Sequence, residues 1–171
     1  MNGRRKLIVI VGGVAGGASV AARARRLDED AEIIVLERGP HVSFANCGLP
    51  YFIGGDILDE NKLQVHTPQT LHDRFRLDVR VLNEVMVIDR DAREVNVRDI
   101  SSGQLYQQPY DELVLSVGAS PLVPPIPGID REGHFTLRNI VDMKKIDRWI
   151  DDRGAKRAVV VGGGYIGLEM A

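Results

Sequence analysis

The chain holds one cysteine, Cys47, in the run Ser43-Phe44-Ala45-Asn46-Cys47-Gly48-Leu49-Pro50-Tyr51. With no second cysteine, an intramolecular disulfide is excluded, and so is an internal dithiol with a partner four positions away. The thiol is then either inert packing, the ordinary fate of a free cysteine, or chemistry. Its small and polar neighbours favour chemistry. A reactive sulfur must reach its thiolate form, which nearby donors, positive charge or a helix N-terminus stabilise, and Ser43 and Asn46 can supply donors or hold a substrate. Acting alone, such a sulfur stores two electrons' worth of oxidation as a mixed disulfide with an external thiol, a persulfide or a sulfenic acid.

Two glycine-rich turns are the second chemical feature. A GxGxxG turn bends tightly and lets a pyrophosphate approach the backbone amides that open the following helix. The first turn has Gly12 and Gly17 in place, with Val14 where the middle glycine belongs, Ala15 next, and Gly16 paired with Gly17. Glu37 follows 20 positions after Gly17 (37 − 17), where a carboxylate accepts ribose hydroxyls. The second turn, Gly162, Gly164 and Gly167 around Tyr165 and Ile166, matches the pattern without departure and lies 150 positions after the first (162 − 12). Two strand-to-helix turns imply two nucleotide sites. The acid that would read the second cofactor's ribose lies past Ala171, so this sequence does not separate NADH from NADPH.

Elements must place these groups. Four short apolar runs, Leu7 to Val11, Ile33 to Leu36, Leu113 to Val117 (interrupted only by Ser116) and Ala158 to Val161, are continuous rather than alternating, as strands covered on both faces by other layers are. The Ala-rich stretch Gly16 to Leu27 predicts the helix of a βαβ unit, with arginines toward its C-terminal end. From Asp78 to Asp99 valines alternate with polar residues about Asp89-Arg90-Asp91-Ala92-Arg93, which predicts an antiparallel hairpin or meander. Pro121, Pro124, Pro125, Pro127 and Gly128 predict an extended linker. A helix is expected over Asn139 to Asp152, with Val141, Ile146, Trp149 and Ile150 on its apolar stripe. The class is α/β: a Rossmann-like domain of parallel sheet plus antiparallel meander, followed by the start of a second Rossmann-like domain.

Composition narrows the function. The 171 residues are 44% hydrophobic, enough for one main core. Twenty-two basic against 24 acidic side chains leave a net charge of −2, so no broad basic surface exists for nucleic acid or an anionic membrane. Arg4-Arg5-Lys6 ahead of Leu7 to Val11 has the look of a signal peptide, but the apolar run ends after five residues at Gly12-Gly13 and arginines follow. No stretch approaches the ~18 apolar residues of a membrane span, and a cytoplasmic location is expected. His41, His66, His72 and His134 lack the paired spacing of a zinc site, so no metal is expected, and no GxSxG elbow is present.

Taken in order, Gly12 to Gly17, Glu37-Arg38, Ser43 to Tyr51, Tyr110 through Gly118-Ala119, and Gly162 to Glu169 resemble the single-cysteine branch of the pyridine nucleotide-disulfide oxidoreductases. That branch includes coenzyme A-disulfide reductases, NADH-dependent persulfide or polysulfide reductases, NADH oxidases and NADH peroxidases. The resemblance implies that Gly12, Val14, Ala15, Gly16, Gly17, Glu37 and Arg38 hold FAD, that Val85 meets its adenine end through backbone, and that Ser116 and Gly118 pass near it. Gly162, Gly164, Tyr165, Ile166 and Gly167 would take NADH or NADPH. Cys47 would be the redox residue facing the flavin. Ser43-Phe44-Ala45-Asn46-Cys47 is more similar to the coenzyme A-disulfide and persulfide reductases than to the oxidases and peroxidases. This implies a disulfide, persulfide or coenzyme A-disulfide substrate, with Arg25 and Arg26 at the coenzyme A phosphate and Ser43 and Asn46 near its thiol end. The implied domains are 1–120 for the first FAD-binding segment, 121–138 for the linker and 139–171 for the start of the NAD(P)-binding domain. Family members run several hundred residues and form homodimers. The 171-residue chain alone is therefore expected to hold FAD weakly or not at all and to turn nothing over. An oxidase or peroxidase of the same branch, or a nucleotide-binding module without chemistry, are the competing readings.

Overall fold

The computed structural model describes residues 5–171, so Arg4 of the basic opening lies outside the described residues. The chain divides into two compact units. One is built from the chain up to Phe44 and from Gln64–Gly118, the other from Ala45–Leu63 and Ala119–Ala171.

The first unit is centred on a four-stranded parallel sheet in the order β3-β2-β1-β7, with β1 Leu7–Val11, β2 Glu32–Glu37, β3 Asp78–Val81 and β7 Glu112–Leu115. β1 pairs with β2 from Leu7↔Glu32 to Val11↔Leu36, and with β7 from Ile8↔Glu112 to Val11↔Leu115. The unbroken apolarity of β2 has its explanation in two cores. Ile33 and Val35 pack with Ile10, Ala21 and Leu71 on one face, while Ile34 and Leu36 pack with Val9, Val95 and Val97 on the other. Helix α1, Ala15–Leu27, supplies Ala21 to the first core, and helix α3, Pro68–Phe75, supplies Leu71. The second core is closed by an antiparallel meander of β4 Asn83–Asp89, β5 Glu94–Asp99 and β6 Leu105–Pro109. Its first turn is built as the residue types require. The Asp89 carboxylate accepts from the Asp91 and Ala92 amides, and Arg93 takes φ 53°.

One expectation about this unit needs correction, and two elements were not foreseen. Val79 and Val81 alternate like hairpin residues, yet they belong to β3, the edge strand of the parallel sheet, paired with Val35 and Glu37. Alternation reports one covered face and says nothing about which sheet a strand joins. β6 and α3 were not anticipated, although Thr67-Pro68 is a helix start: Thr67 and Thr70 cap one another reciprocally and Pro68 sits in the first turn.

In the second unit, Asn46–Gly48 form a single 3-10 turn that leads into the short helix α2, Leu49–Ile53, and helix α4 spans Ile140–Arg153. Asn139 caps α4 by accepting from the Asp142 amide at 2.9 Å, and Gly154 ends it at φ 56°. The buried stripe of α4 is Ile140, Met143 and Ile146, whereas Ile150 is exposed and Trp149 instead meets Phe135 edge-on. Ala158 to Val161, expected as a buried strand, is irregular, and Val159 and Val161 are almost fully exposed. The run has the composition of a strand but no ladder partner among the described residues, and a strand without a partner leaves its backbone donors and acceptors to water. The five-residue helix α5, Tyr165–Glu169, follows it. No helix among the described residues is long and apolar enough to cross a membrane.

Candidate functional site

In the first unit the glycine turn joins β1 to α1. Gly12 takes φ 96°, a conformation that side chains rarely adopt, and its amide donates to the Leu36 carbonyl at 2.8 Å. A methyl group at Gly12 would fall on the Ser116 carbonyl oxygen, and one at Gly17 would fall on the Gly12 carbonyl oxygen. The glycines therefore serve close packing as well as access. Beyond the turn, α1 opens with no side-chain cap and no acidic residue in its first turn. Its leading amides are donors at the positive end of a 13-residue helix.

Glu37 ends β2 buried against this turn. One carboxylate oxygen accepts from the Gly13 amide at 2.8 Å and the other from the Gly39 amide at 2.7 Å. Each oxygen retains a lone-pair direction, so two vicinal hydroxyls of a ribose could still be received. Gly13 was not singled out in the sequence. It sits at a variable position of the GxGxxG pattern, and its role is visible only through Glu37. Uncapped helix amides, a turn with no room for side chains and an oriented carboxylate fit the diphosphate and ribose of a dinucleotide.

Ser43 and Ser116 join the same cluster. Ser43 is buried at φ 46°; its amide donates to the Gly13 carbonyl at 3.0 Å, and its carbonyl accepts from Val65 and His66. A non-glycine residue held in this left-handed region is uncommon and is maintained by its surroundings. The Ser116 amide continues the sheet by donating to Val11, and Gly118 follows at φ 67°. Val14 and Ala15 lie at the start of α1, and Arg38 lies exposed just past β2. Val85 is farther off, in β4 at the register shift between Val85 and Val87, and packs on the second core.

The two arginines at the end of α1 part company. Arg25, expected at the substrate, is buried and committed to the fold. Its guanidinium donates to the carbonyls of Phe75, Asp28, Glu29, Ala31 and Arg76 at 2.7–3.3 Å. Burial, and then the charge of Arg76, lowers its pKa from the ordinary arginine value. The physical reason is position: Arg25 is on the α1 face that meets the end of α3, and it ties both helix ends to the loop before β2. Arg25→Ala should destabilise the chain by about 2–4 kcal/mol through loss of charged hydrogen bonds and stranded carbonyls. A urea melt shifted by less than about 0.5 kcal/mol would contradict this assignment. Arg26 is exposed, its Nε donating to Ala22 within the helix. It stands roughly 16 Å along α1 from the glycine turn.

In the second unit Cys47 is exposed, four residues after Ser43 in the chain, at the turn that leads into α2. Asn46 beside it carries a buried side-chain oxygen with no hydrogen-bond partner, a polar atom that a ligand donor would satisfy. The second glycine turn repeats the geometry of the first: Gly162 takes φ 113°, and a methyl at Gly167 would fall on the Gly162 carbonyl oxygen. Gly164 caps α5, and Tyr165 and Ile166, its first residues, are exposed.

Residues 6–171 match the family model described as pyridine nucleotide-disulphide oxidoreductase. The chain is 42% identical over 163 residues to the coenzyme A disulfide reductase of Staphylococcus epidermidis, a match that covers 95% of this chain and 36% of that protein. Among solved structures, the reduced CoADR-RHD of Bacillus anthracis superposes with a TM-score of 0.96 at 50% identity, over 98% of this chain and 30% of that one. The NAD-dependent persulfide reductase from A. fulgidus gives a TM-score of 0.91 at 38% identity, over 96% and 30%. The chain thus spans about a third of the length of the relatives it matches. By the family model that matches residues 6–171, the chain belongs to the pyridine nucleotide-disulphide oxidoreductase family.

Proposed function

We propose that this chain is the N-terminal part of an FAD-dependent, NAD(P)H-using oxidoreductase that reduces a disulfide, persulfide or coenzyme A-disulfide through Cys47. The observation that carries the reading is the joint presence of the Glu37-braced glycine turn and, four residues beyond the turn-bound Ser43, the exposed Cys47. Similarity to a coenzyme A disulfide reductase and a persulfide reductase supports the substrate class.

In this reading Gly12, Val14, Ala15, Gly16 and Gly17 receive the FAD diphosphate on the α1 amides, and Glu37 receives the ribose. Arg38, Val85, Ser116 and Gly118 border the same cofactor. Gly162, Gly164, Tyr165, Ile166 and Gly167 take the diphosphate of NADH or NADPH. Bound FAD supplies two-electron redox capacity between nicotinamide and sulfur. Cys47 does the sulfur chemistry: its thiolate attacks one sulfur of the substrate disulfide, a new S–S bond forms, the old one breaks, and the displaced thiolate leaves and takes up a proton. Asn46 and Ser43 hold the sulfur end of the substrate. The proposed domain division is 1–120, 121–138 and 139–171 along the chain, with Ala45–Leu63 of the first segment packing in the second compact unit, and the whole protein acts as a cytoplasmic homodimer on small molecules, without nucleic acid or membrane as partner.

Arg26 is assigned to the coenzyme A phosphate, Arg25 being consumed by the fold. In a full-length version, Arg26→Ala should raise KM for coenzyme A disulfide about tenfold, the loss of one charge-assisted contact, with kcat and polysulfide turnover little changed. Feeding that enzyme coenzyme A disulfide, polysulfide and hydrogen peroxide in parallel identifies the substrate class. Fast NADH loss with peroxide alone would transfer the assignment to the peroxidases, and equal loss of both sulfur activities in the variant would remove Arg26 from the phosphate site.

A further inference from the structure

Gly16 poses a question that the dinucleotide pattern does not answer, because that pattern places no glycine at this position. Gly16 is exposed to solvent, in the first turn of α1. A methyl group there would nevertheless fall on the Ser116 hydroxyl, while it would stand 3.7 Å from the Ser116 Cβ, an ordinary contact. Ser116 therefore meets the turn in three ways. Its amide donates to Val11 at 2.8 Å, its carbonyl oxygen fills the space beside Gly12, and its hydroxyl fills the space beside Gly16.

We infer that Ser116 is a positioning residue for the diphosphate turn and that Gly16 and Ser116 are a matched pair. The hydroxyl at the end of β7 occupies the volume a side chain at 16 would need, and so sets the separation between β7 and the first turn of α1. This rests on the reading that the turn holds FAD, and it adds a determinant from a strand about a hundred residues away (116 − 16). The amides that would receive the diphosphate belong to the turn whose height the pair fixes. A side chain at 16 must either turn the Ser116 hydroxyl out of its present rotamer or lift that turn off β7 and misdirect the amides, and removal of the hydroxyl gives the space back. The contact at Gly12 is different in kind. There the obstruction is the backbone of Ser116, which no substitution at 116 removes.

The test is a set of variants, each prepared in this chain for thermal unfolding and in a full-length version for FAD binding by flavin fluorescence: Gly16→Ala, Ser116→Ala, the double variant, and Gly12→Ala with and without Ser116→Ala. Gly16→Ala is expected to weaken FAD binding roughly tenfold and lower the midpoint by about 5 °C, the scale of one overpacked contact. The double variant is expected to recover both to within about threefold and 2 °C of Ser116→Ala alone, since the remaining contact is an ordinary one. Gly12→Ala should not be rescued. The inference is overturned if Gly16→Ala holds FAD like the wild type, if the two substitutions add, or if Gly12→Ala is rescued equally. Should Gly16→Ala not fold, folding of the double variant is the rescue, and its failure to fold overturns the pair. If even the unsubstituted full-length protein takes no FAD, the cofactor reading falls, while the unfolding cycle still decides whether the pair exists.

Discussion

Cys47→Ser in a full-length version is expected to abolish reduction of disulfide or persulfide substrates, by at least about a thousandfold in turnover, while NAD(P)H still bleaches the flavin absorbance. Serine keeps the size and hydrogen-bonding capacity of the side chain but offers no sulfur to form the mixed disulfide. The retained flavin bleaching separates this chemical loss from misfolding, because Cys47 belongs to an exposed turn rather than to either core. A variant that keeps a tenth of wild-type activity on coenzyme A disulfide or polysulfide would show that electrons reach the substrate by a route that bypasses this sulfur.

Gly17→Ala should be the most damaging single methyl in the glycine turn. The added carbon falls on the Gly12 carbonyl oxygen, a backbone atom held by the strand before it, and approaches the Ile10 side chain in the first core. Neither neighbour can swing aside, so α1 must move off the sheet. The expected cost is about 3 kcal/mol or more, the upper range for overpacking, together with loss of FAD from the purified full-length protein. Urea unfolding of the chain and the flavin-to-protein absorbance ratio measure the two effects. A variant within about 0.5 kcal/mol of the parent that also retains its flavin would mean that the helix start is loose, contrary to the geometry. Gly103→Ala, at a turn with nothing within 4 Å of the added carbon, is the reference for a glycine whose requirement is conformational alone.

Much of this molecule was legible because its signals are local. Continuous apolar runs gave three strands of the parallel sheet, the Ala-rich stretch gave α1, and the helix expected over Asn139 to Asp152 is α4, Ile140–Arg153. Cys47, the two glycine turns and Glu37 needed only residue types and spacing, since turn conformation, strand length and thiol chemistry depend on near neighbours. What failed were statements about who pairs with whom. Val79 and Val81 carry the same alternation whether they join a meander or edge a parallel sheet, and Ala158 to Val161 has the composition of a strand but no partner among the described residues.

Arg25 and Arg26 state the division most sharply. Their sequence determined two cations at the end of a helix, about 100° apart around its axis, and the family resemblance made both of them candidates for a phosphate. Only the tertiary structure decided between them. Five backbone carbonyls, two of them from the end of α3 some fifty residues away, converge on Arg25 and leave Arg26 to solvent. The hydroxyl of Ser116 over Gly16 belongs to the same class of fact. Covalent order sets which groups a chain has to offer. Which of them remain available for a ligand depends on what distant segments bring to hydrogen-bonding or van der Waals range, and close packing makes that choice only once the chain has folded.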